Sequence, residues 1–170
     1  MEKGYVHVYT GNGKGKTTAA LGLALRAVCA GKKVFFGQFA KGMDCSELKA
    51  ANLINDLTIK QYGRDAFIIK PSKEDKEAAE EGLKEIESIL KSDEFNVVIL
   101  DEINIALHYN LLDIDNVIDI LNKRNENIEV ILTGRNAPEK IIEFADLVTE
   151  MKEIKHYYNS GVDARIGIEK

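Results

Sequence analysis

The sequence predicts an α/β fold in three layers, with a mostly parallel sheet between helices. Three observations predict it. Short β-branched or aromatic runs alternate with helix-period segments along nearly the whole chain, the order that gives parallel strands joined by right-handed crossovers. The run "NVVILDE" at 96–102 is apolar without alternation, which suits a strand covered on both faces. A glycine-rich turn, an acidic pair and an arginine each follow a strand-like run, and open parallel sheets bind ligands beyond the carboxyl ends of their strands.

The elements follow in order. "GYVHVYT" at 4–10 reads as the first strand, ending in a glycine-rich turn. From Lys16 the composition turns to Ala, Leu and Thr, with Leu21, Leu25 and Val28 at helical spacing, and the segment stops at Gly31, a suitable residue just past a helix end. "KKVFFGQFA" reads as a second strand, "KGMDCSELKAANLIND" as a loop with a short helix, "LTIKQYG" as a third strand and "RDAFIIKPS" as a loop. Ser72 with Asp75 resembles a capping box at the head of a helix reaching Lys91, whose apolar face is Ala79, Leu83, Ile86 and Leu90. After "NVVILDE", the residues Ile114, Val117, Ile118 and Leu121 mark another amphipathic helix. "IEVILTGR" is a strand, Pro138 starts the helix "PEKIIEFA", and "DLVTEMKEIKH" is the last strand before the tail "YYNSGVDARIGIEK".

Length and composition suit one domain spanning residues 1–170 with a proper core. A net charge of −5 argues against a nucleic-acid or membrane-surface protein. The most apolar window, "TTAALGLALRAVCAG", is short and interrupted by Arg26, and no secretory leader precedes the first strand. Cys29 and Cys45 have no paired spacing, so two free thiols in a reducing cytoplasm are expected. His7, His108 and His156 form no ligand pattern.

"YTGNGKGKTTAALG" is close to a phosphate-binding loop but offset. The usual spacing asks for glycine six residues before the Lys-Thr pair; Thr10 is there, and Gly11 follows. Glycines 11, 13 and 15 let successive N–H groups turn toward phosphate oxygens. Lys16 adds charge, the following helix adds its N-terminal dipole, and Thr17 offers a hydroxyl to Mg²⁺. Asp101 and Glu102 close a buried strand, where one carboxylate can hold Mg²⁺ and the other orient the site. Arg135 suits phosphate or a developing negative charge, or equally a structural salt bridge. These residues define an Mg-nucleotide site without defining a reaction. A γ-phosphate at the reacting position makes a small ATPase or kinase, with Glu102 orienting water or a hydroxyl. A ribose C5′ there makes triphosphate the leaving group. A regulator would bind ATP and leave it intact.

Taken together, "TGNGKGKTTAA" with Arg26, "QFAKG", "VVILDE", "LTGRNAPEKIIEFADLVTEMKEIKH" and "GVDARIGIE" resemble the ATP:corrinoid adenosyltransferases of the CobA/BtuR type, from Tyr5 to Glu169, least well between about Asp44 and Lys91. The resemblance implies transfer of the 5′-deoxyadenosyl group of ATP to Co(I) of a reduced corrinoid, with release of triphosphate. It implies a homodimer of RecA-like P-loop NTPase fold, ATP reversed in its loop, and a cellular reductase supplying Co(I). It places Asn12, Gly13, Lys14, Gly15, Lys16, Thr17 and Thr18 on the phosphates, Thr17 and Glu102 on Mg²⁺, and Arg135 and Arg26 near the triphosphate. Lys16, Glu102 and Arg135 are the expected catalytic residues. Family members press a Phe and a Trp from the loop after the third strand against the lower corrinoid face. This chain has no Trp; Tyr62 and Phe67 in "QYGRDAF" are the aromatics available, for that role or for the core. Several members also carry an N-terminal extension over the corrinoid, whereas here the first strand begins almost at once.

Overall fold

The computed structural model describes residues 3–42, 44–63 and 71–170. Six strands form one sheet: β1 (Val6–Thr10), β2 (Val34–Phe39), β3 (Leu57–Tyr62), β4 (Val97–Asp101), β5 (Glu129–Thr133) and β6 (Leu147–Glu150), in the order β3-β2-β4-β5-β1-β6. Each strand pair in the sheet is parallel, so all six carboxyl ends share one edge. The helices are α1 (Lys16–Cys29), α2 (Ala50–Leu53), α3 (Lys73–Lys91), α4 (Ile103–His108), α5 (Ile114–Asn122) and α6 (Glu139–Phe144).

Strand alternation sorts the core into two clusters. Val34, Phe36, Val97, Ile99 and Ile131 face α1, whereas Phe35, Phe39, Val98, Leu100, Val130 and Leu132 face α3 and α5. Three layers result. The α1 interface keeps part of the spacing read in the sequence: Leu21 and Val28 pack against the core, but Leu25 is half exposed and the buried apolar positions are Ala20, Ala24 and Ala27. An alanine stripe lets the helix lie close to the sheet, which holds its first turn hard against the strand ends.

α3 carries the expected face, with Ala79, Leu83, Ile86 and Leu90 buried. Its capping box is complete: Asp75 N–H donates to Ser72 Oγ at 3.2 Å and Ser72 N–H to Asp75 Oδ2 at 2.9 Å. Pro138 stands just ahead of α6 rather than inside its first turn. The last strand is shorter than expected, ending at Glu150 because Met151 leaves the sheet and gives its carbonyl to the Gly13 N–H at 2.7 Å. Two short elements had no clear sequence signal, α4 and a 3₁₀ turn at Tyr157–Ser160. Among the described residues no helix is long and apolar enough to cross a membrane.

Candidate active site

A pocket of about 850 Å³ opens over the carboxyl ends of the strands, within the size range of small-molecule sites. The whole loop from Asn12 to Thr18 lines it, with Glu102 and Arg135. The offset glycine has a structural cause. Thr10 is the last residue of β1, and its hydroxyl accepts from Ala137 N–H at 3.3 Å, tying down the turn after β5. The chain turns only at Gly11, at φ +95°, where an added Cβ would stand 2.5 Å from the Met151 carbonyl oxygen. The loop therefore starts one residue late because position 10 still belongs to the strand.

Lys16 is almost wholly buried and donates to the Gly13 carbonyl at 2.8 Å across its own loop. Burial pushes its ammonium pKa down, and Arg135 adds to this against the pull of Glu102 and Asp101. A cation so placed gains from any anion entering the loop.

The two acids have different places. Asp101 is fully buried and is not part of the pocket wall. Its Oδ1 accepts from the hydroxyls of Thr17 at 2.8 Å and Thr133 at 2.6 Å, and its Oδ2 accepts from Gln38 Nε2 at 3.2 Å. Glu102 turns outward in the left-handed region, at φ +58°, as the residue preceding α4. Its N–H donates to Thr133 Oγ1 at 3.0 Å, so a single hydroxyl bridges the acidic pair. Burial raises the Glu102 pKa, and Asp101 raises it further, against Lys41, Lys16 and Arg135. The Thr17 hydroxyl, having given its hydrogen to Asp101, has its oxygen lone pairs for a cation at the pocket. Among the described residues no three His, Cys, Asp or Glu side chains group as a metal site. A hard divalent ion would take Thr17 and Glu102 oxygens and complete its shell with phosphates and water, the usual habit of Mg²⁺.

Two residues of the sequence reading lie elsewhere, and a third falls outside the described residues. Arg26 is exposed ten residues along α1 from Lys16, about 15 Å at the helical rise, close enough to Tyr9 to act on its hydroxyl. Tyr62 is in the core: its ring stands 5.2 Å from that of Phe39 and against Gly82, where a Cβ would lie 2.5 Å from the ring. Burial, with the nearby Glu85 carboxylate, holds its hydroxyl pKa far above the ordinary value. Phe67 lies outside the described residues.

The pocket also has walls that residue-by-residue reading missed. Lys41, just past β2, lines it, 3.4 Å from Glu47 and 3.9 Å from Asp101. Burial opposes its charge, but the two carboxylates outweigh that and raise its pKa. The rule that ligands sit beyond strand ends pointed to this position. The other wall comes from the chain after β6 and includes Glu153, His156, Tyr158 and Asn159. The carboxyl-terminal residues close it. Glu169 is paired with Lys14 at 3.2 Å and hydrogen-bonded by Arg165 and Tyr157, and the Arg165 guanidinium, ahead of the Tyr157 hydroxyl, holds its carboxyl well below the usual range. Ser46 Oγ donates to the Lys170 carbonyl at 3.0 Å. The Lys14–Glu169 and Ser46–Lys170 contacts join segments far apart in sequence, and no short-range motif signals them.

A glycine-rich loop carrying a buried lysine shares one pocket with a carboxylate and an arginine. Comparison with known proteins agrees. The profile of the family ATP:corrinoid adenosyltransferase BtuR/CobO/CobP matches residues 2–169. A corrinoid adenosyltransferase of Escherichia coli (strain K12) is 37% identical over 171 residues, covering 99% of this chain and 86% of that one. One from Sinorhizobium sp is 36% identical over 179 residues, with 99% and 81% covered, and corrinoid adenosyltransferase CobA of Salmonella typhimurium is 34% identical over 177 residues, with 99% and 86% covered. A match over nearly the full length, on a chain whose glycine-rich loop, Glu102 and Arg135 line one pocket, places this protein in the ATP:corrinoid adenosyltransferase family, as a transferase that adenosylates a Co(I) corrinoid with ATP.

Proposed function

We propose that ATP lies reversed in the loop, its triphosphate gripped as a leaving group and its C5′ presented to the open side of the pocket. The observation that carries this reading is that Asn12–Thr18, Glu102 and Arg135 line one pocket which continues past them to the walls formed by Lys41 and the carboxyl-terminal residues. The glycine-rich loop after β1, with the acidic pair at the end of β4 one strand removed, supports the RecA-like P-loop NTPase assignment.

The reaction balances simply. The electron pair of Co(I) forms the cobalt–carbon bond as the C5′–O bond breaks, triphosphate leaves with that bond's electrons, and cobalt becomes formally Co(III). The corrinoid supplies the nucleophile, so the chain's work is alignment, exclusion of water and stabilisation of the departing charge. Lys16 meets that charge from within the loop, and Arg135 from across the pocket. Lys41, held by Asp101 and Glu47, adds a third cation. Thr17 and Glu102 are the residues to hold Mg²⁺, which when bound neutralises part of the triphosphate charge and so eases its departure. Glu102 is held outward for this by its N–H bond to Thr133. By family resemblance the enzyme is a cytoplasmic homodimer that receives Co(I) from a cellular reductase.

The orientation separates this reading from a phosphate-cleaving one. Under anaerobic conditions with a chemically reduced corrinoid, the protein is expected to release triphosphate and form a light-sensitive cobalt–carbon bond. The β,γ-imido analogue of ATP should serve as well, releasing imidotriphosphate, because no β–γ bond breaks. Formation of ADP, or failure of the analogue while ATP is turned over, would sink the reversed orientation.

A further inference from the structure

Gln38 is fully buried at the carboxyl end of β2 and lies off the pocket wall. Parallel register sets it beside Gln61 of β3 on one side and Asp101 of β4 on the other. All three project toward the α1 side, where Phe36 and Ile99 also point. A polar row thus crosses three strands above an apolar layer, and Thr133 of β5 meets it at Asp101. Gln61 Nε2 donates to Gln38 Oε1 at 3.1 Å, and Gln38 Nε2 donates to Asp101 Oδ2 at 3.2 Å and Glu47 Oε1 at 3.0 Å. This pattern admits one setting of the amide. Turned over, its oxygen would face two carboxylates and its NH₂ a donor.

The row ends on the site. Asp101 Oδ1 is engaged by Thr17 and Thr133, while Oδ2 accepts from Gln38 at 3.2 Å and has the Lys41 ammonium 3.9 Å away, so the hydrogen bond from Gln38 is the directional contact that sets the rotation of the carboxylate. That rotation sets where the Thr17 hydroxyl sends its hydrogen, and therefore where its lone pairs point. We propose that Gln38 is a positioning residue for the transfer reaction, holding Asp101, and through it the Thr17 hydroxyl, in the setting that receives the cation of a bound nucleotide. Gln61 locks the amide of Gln38 in turn. This rests on the Mg-nucleotide reading of the pocket, and the test separates the two.

ATP binding is measured by calorimetry, without corrinoid, in EDTA and in excess Mg²⁺, for the wild type and for Gln38→Met, which keeps length and volume and removes the donor. The wild type should bind ATP more tightly with Mg²⁺. In the variant, affinity in EDTA should stay within about twofold, while the Mg²⁺-dependent gain falls by about tenfold, the size expected for one hydrogen bond to a charged group. A role in packing alone would lower the melting temperature and leave the Mg²⁺ gain intact, which would overturn the proposal. A wild type whose ATP affinity ignores Mg²⁺ would overturn the nucleotide-site reading and this inference with it. Should Gln38→Met not fold, the side-chain amide of Gln38 in ¹⁵N-labelled wild type decides. Its resonances should move when Mg²⁺ is added to the ATP-bound protein; unmoved resonances reject the role.

Discussion

Replacing Thr133 with valine tests the bridge between the two acids. Valine keeps the shape and β-branching of threonine and suits a strand end, so the change removes one hydroxyl and little else. That hydroxyl is wholly buried and makes two hydrogen bonds, as donor to Asp101 at 2.6 Å and as acceptor from the Glu102 N–H at 3.0 Å. The first, to a carboxylate, is worth roughly 1.5–3 kcal/mol, and stranding a buried N–H costs roughly 1–3 kcal/mol. The added methyl returns about 0.8 kcal/mol of apolar burial. A net loss of about 3 kcal/mol is expected, or roughly 6–12 °C in melting temperature for a domain of this size. Urea unfolding followed by circular dichroism measures it. Because Glu102 loses the bond that holds it outward, Mg²⁺-dependent turnover should also fall, even for the folded fraction at low temperature. Stability within about 0.5 kcal/mol of wild type would show that the bridge carries no weight, and the account of how the acids are separated would fail with it.

Other substitutions probe separate parts of the argument. Lys16→Ala should weaken ATP binding by about a hundredfold, or about 2.8 kcal/mol; calorimetric affinity near wild type would remove Lys16 from the phosphate site. Arg26→Ala should leave ATP affinity within about twofold, since Arg26 lies exposed far along α1, and a tenfold loss would return it to the site. Gly82→Ala drives a Cβ to 2.5 Å from the Tyr62 ring and should cost about 1–3 kcal/mol of stability without altering ATP affinity; an unchanged melting temperature would contradict the packing described. Glu102→Gln should abolish Mg²⁺-dependent transfer yet stabilise the metal-free protein at neutral pH. Burial and Asp101 raise the Glu102 pKa in the fold, so its ionisation destabilises the folded state as pH climbs from the unfolded value through the raised one. Glutamine removes that charge, and equal or lower stability in EDTA at pH 7–8 would reject the sign.

Much of the fold was legible because it rests on short-range signals. The apolar run at β4, the Ser72–Asp75 box and the α3 face each declare themselves within a few residues, and the structure carries all three. The α1 face was less so. Leucine spacing drew attention to Leu25, while the sheet needed small residues for close approach and took Ala20, Ala24 and Ala27. At the site, loop, acid and arginine were readable since each follows a strand. The roles of Gln38 and Thr133 were not, because their partners on β3, β4 and the residue after it are cross-strand neighbours and register is invisible before the sheet order is known. Tyr62 shows the same limit from the other side: an aromatic at a strand end looks available for a ligand until Gly82 is seen to leave room for its ring.

The separation of Asp101 from Glu102 depends on a single backbone turn. Strand alternation sends Leu100 to the α3 face and Asp101 to the α1 face, so a further extended residue would drive the Glu102 carboxylate into the apolar layer beside Leu100. The left-handed conformation at φ +58° breaks that alternation and keeps the side chain at the pocket. Such a conformation is costly for a residue with a side chain. Here it is held by the Thr133 bond to its N–H and by α4 starting at the next residue. On the proposed reading that turn lets two adjacent acids serve one site in different ways, Asp101 fully buried to orient a hydroxyl and Glu102 half-buried at the pocket wall to meet a cation. A sequence shows only that the acids are neighbours; the turn that parts them is a property of the folded chain.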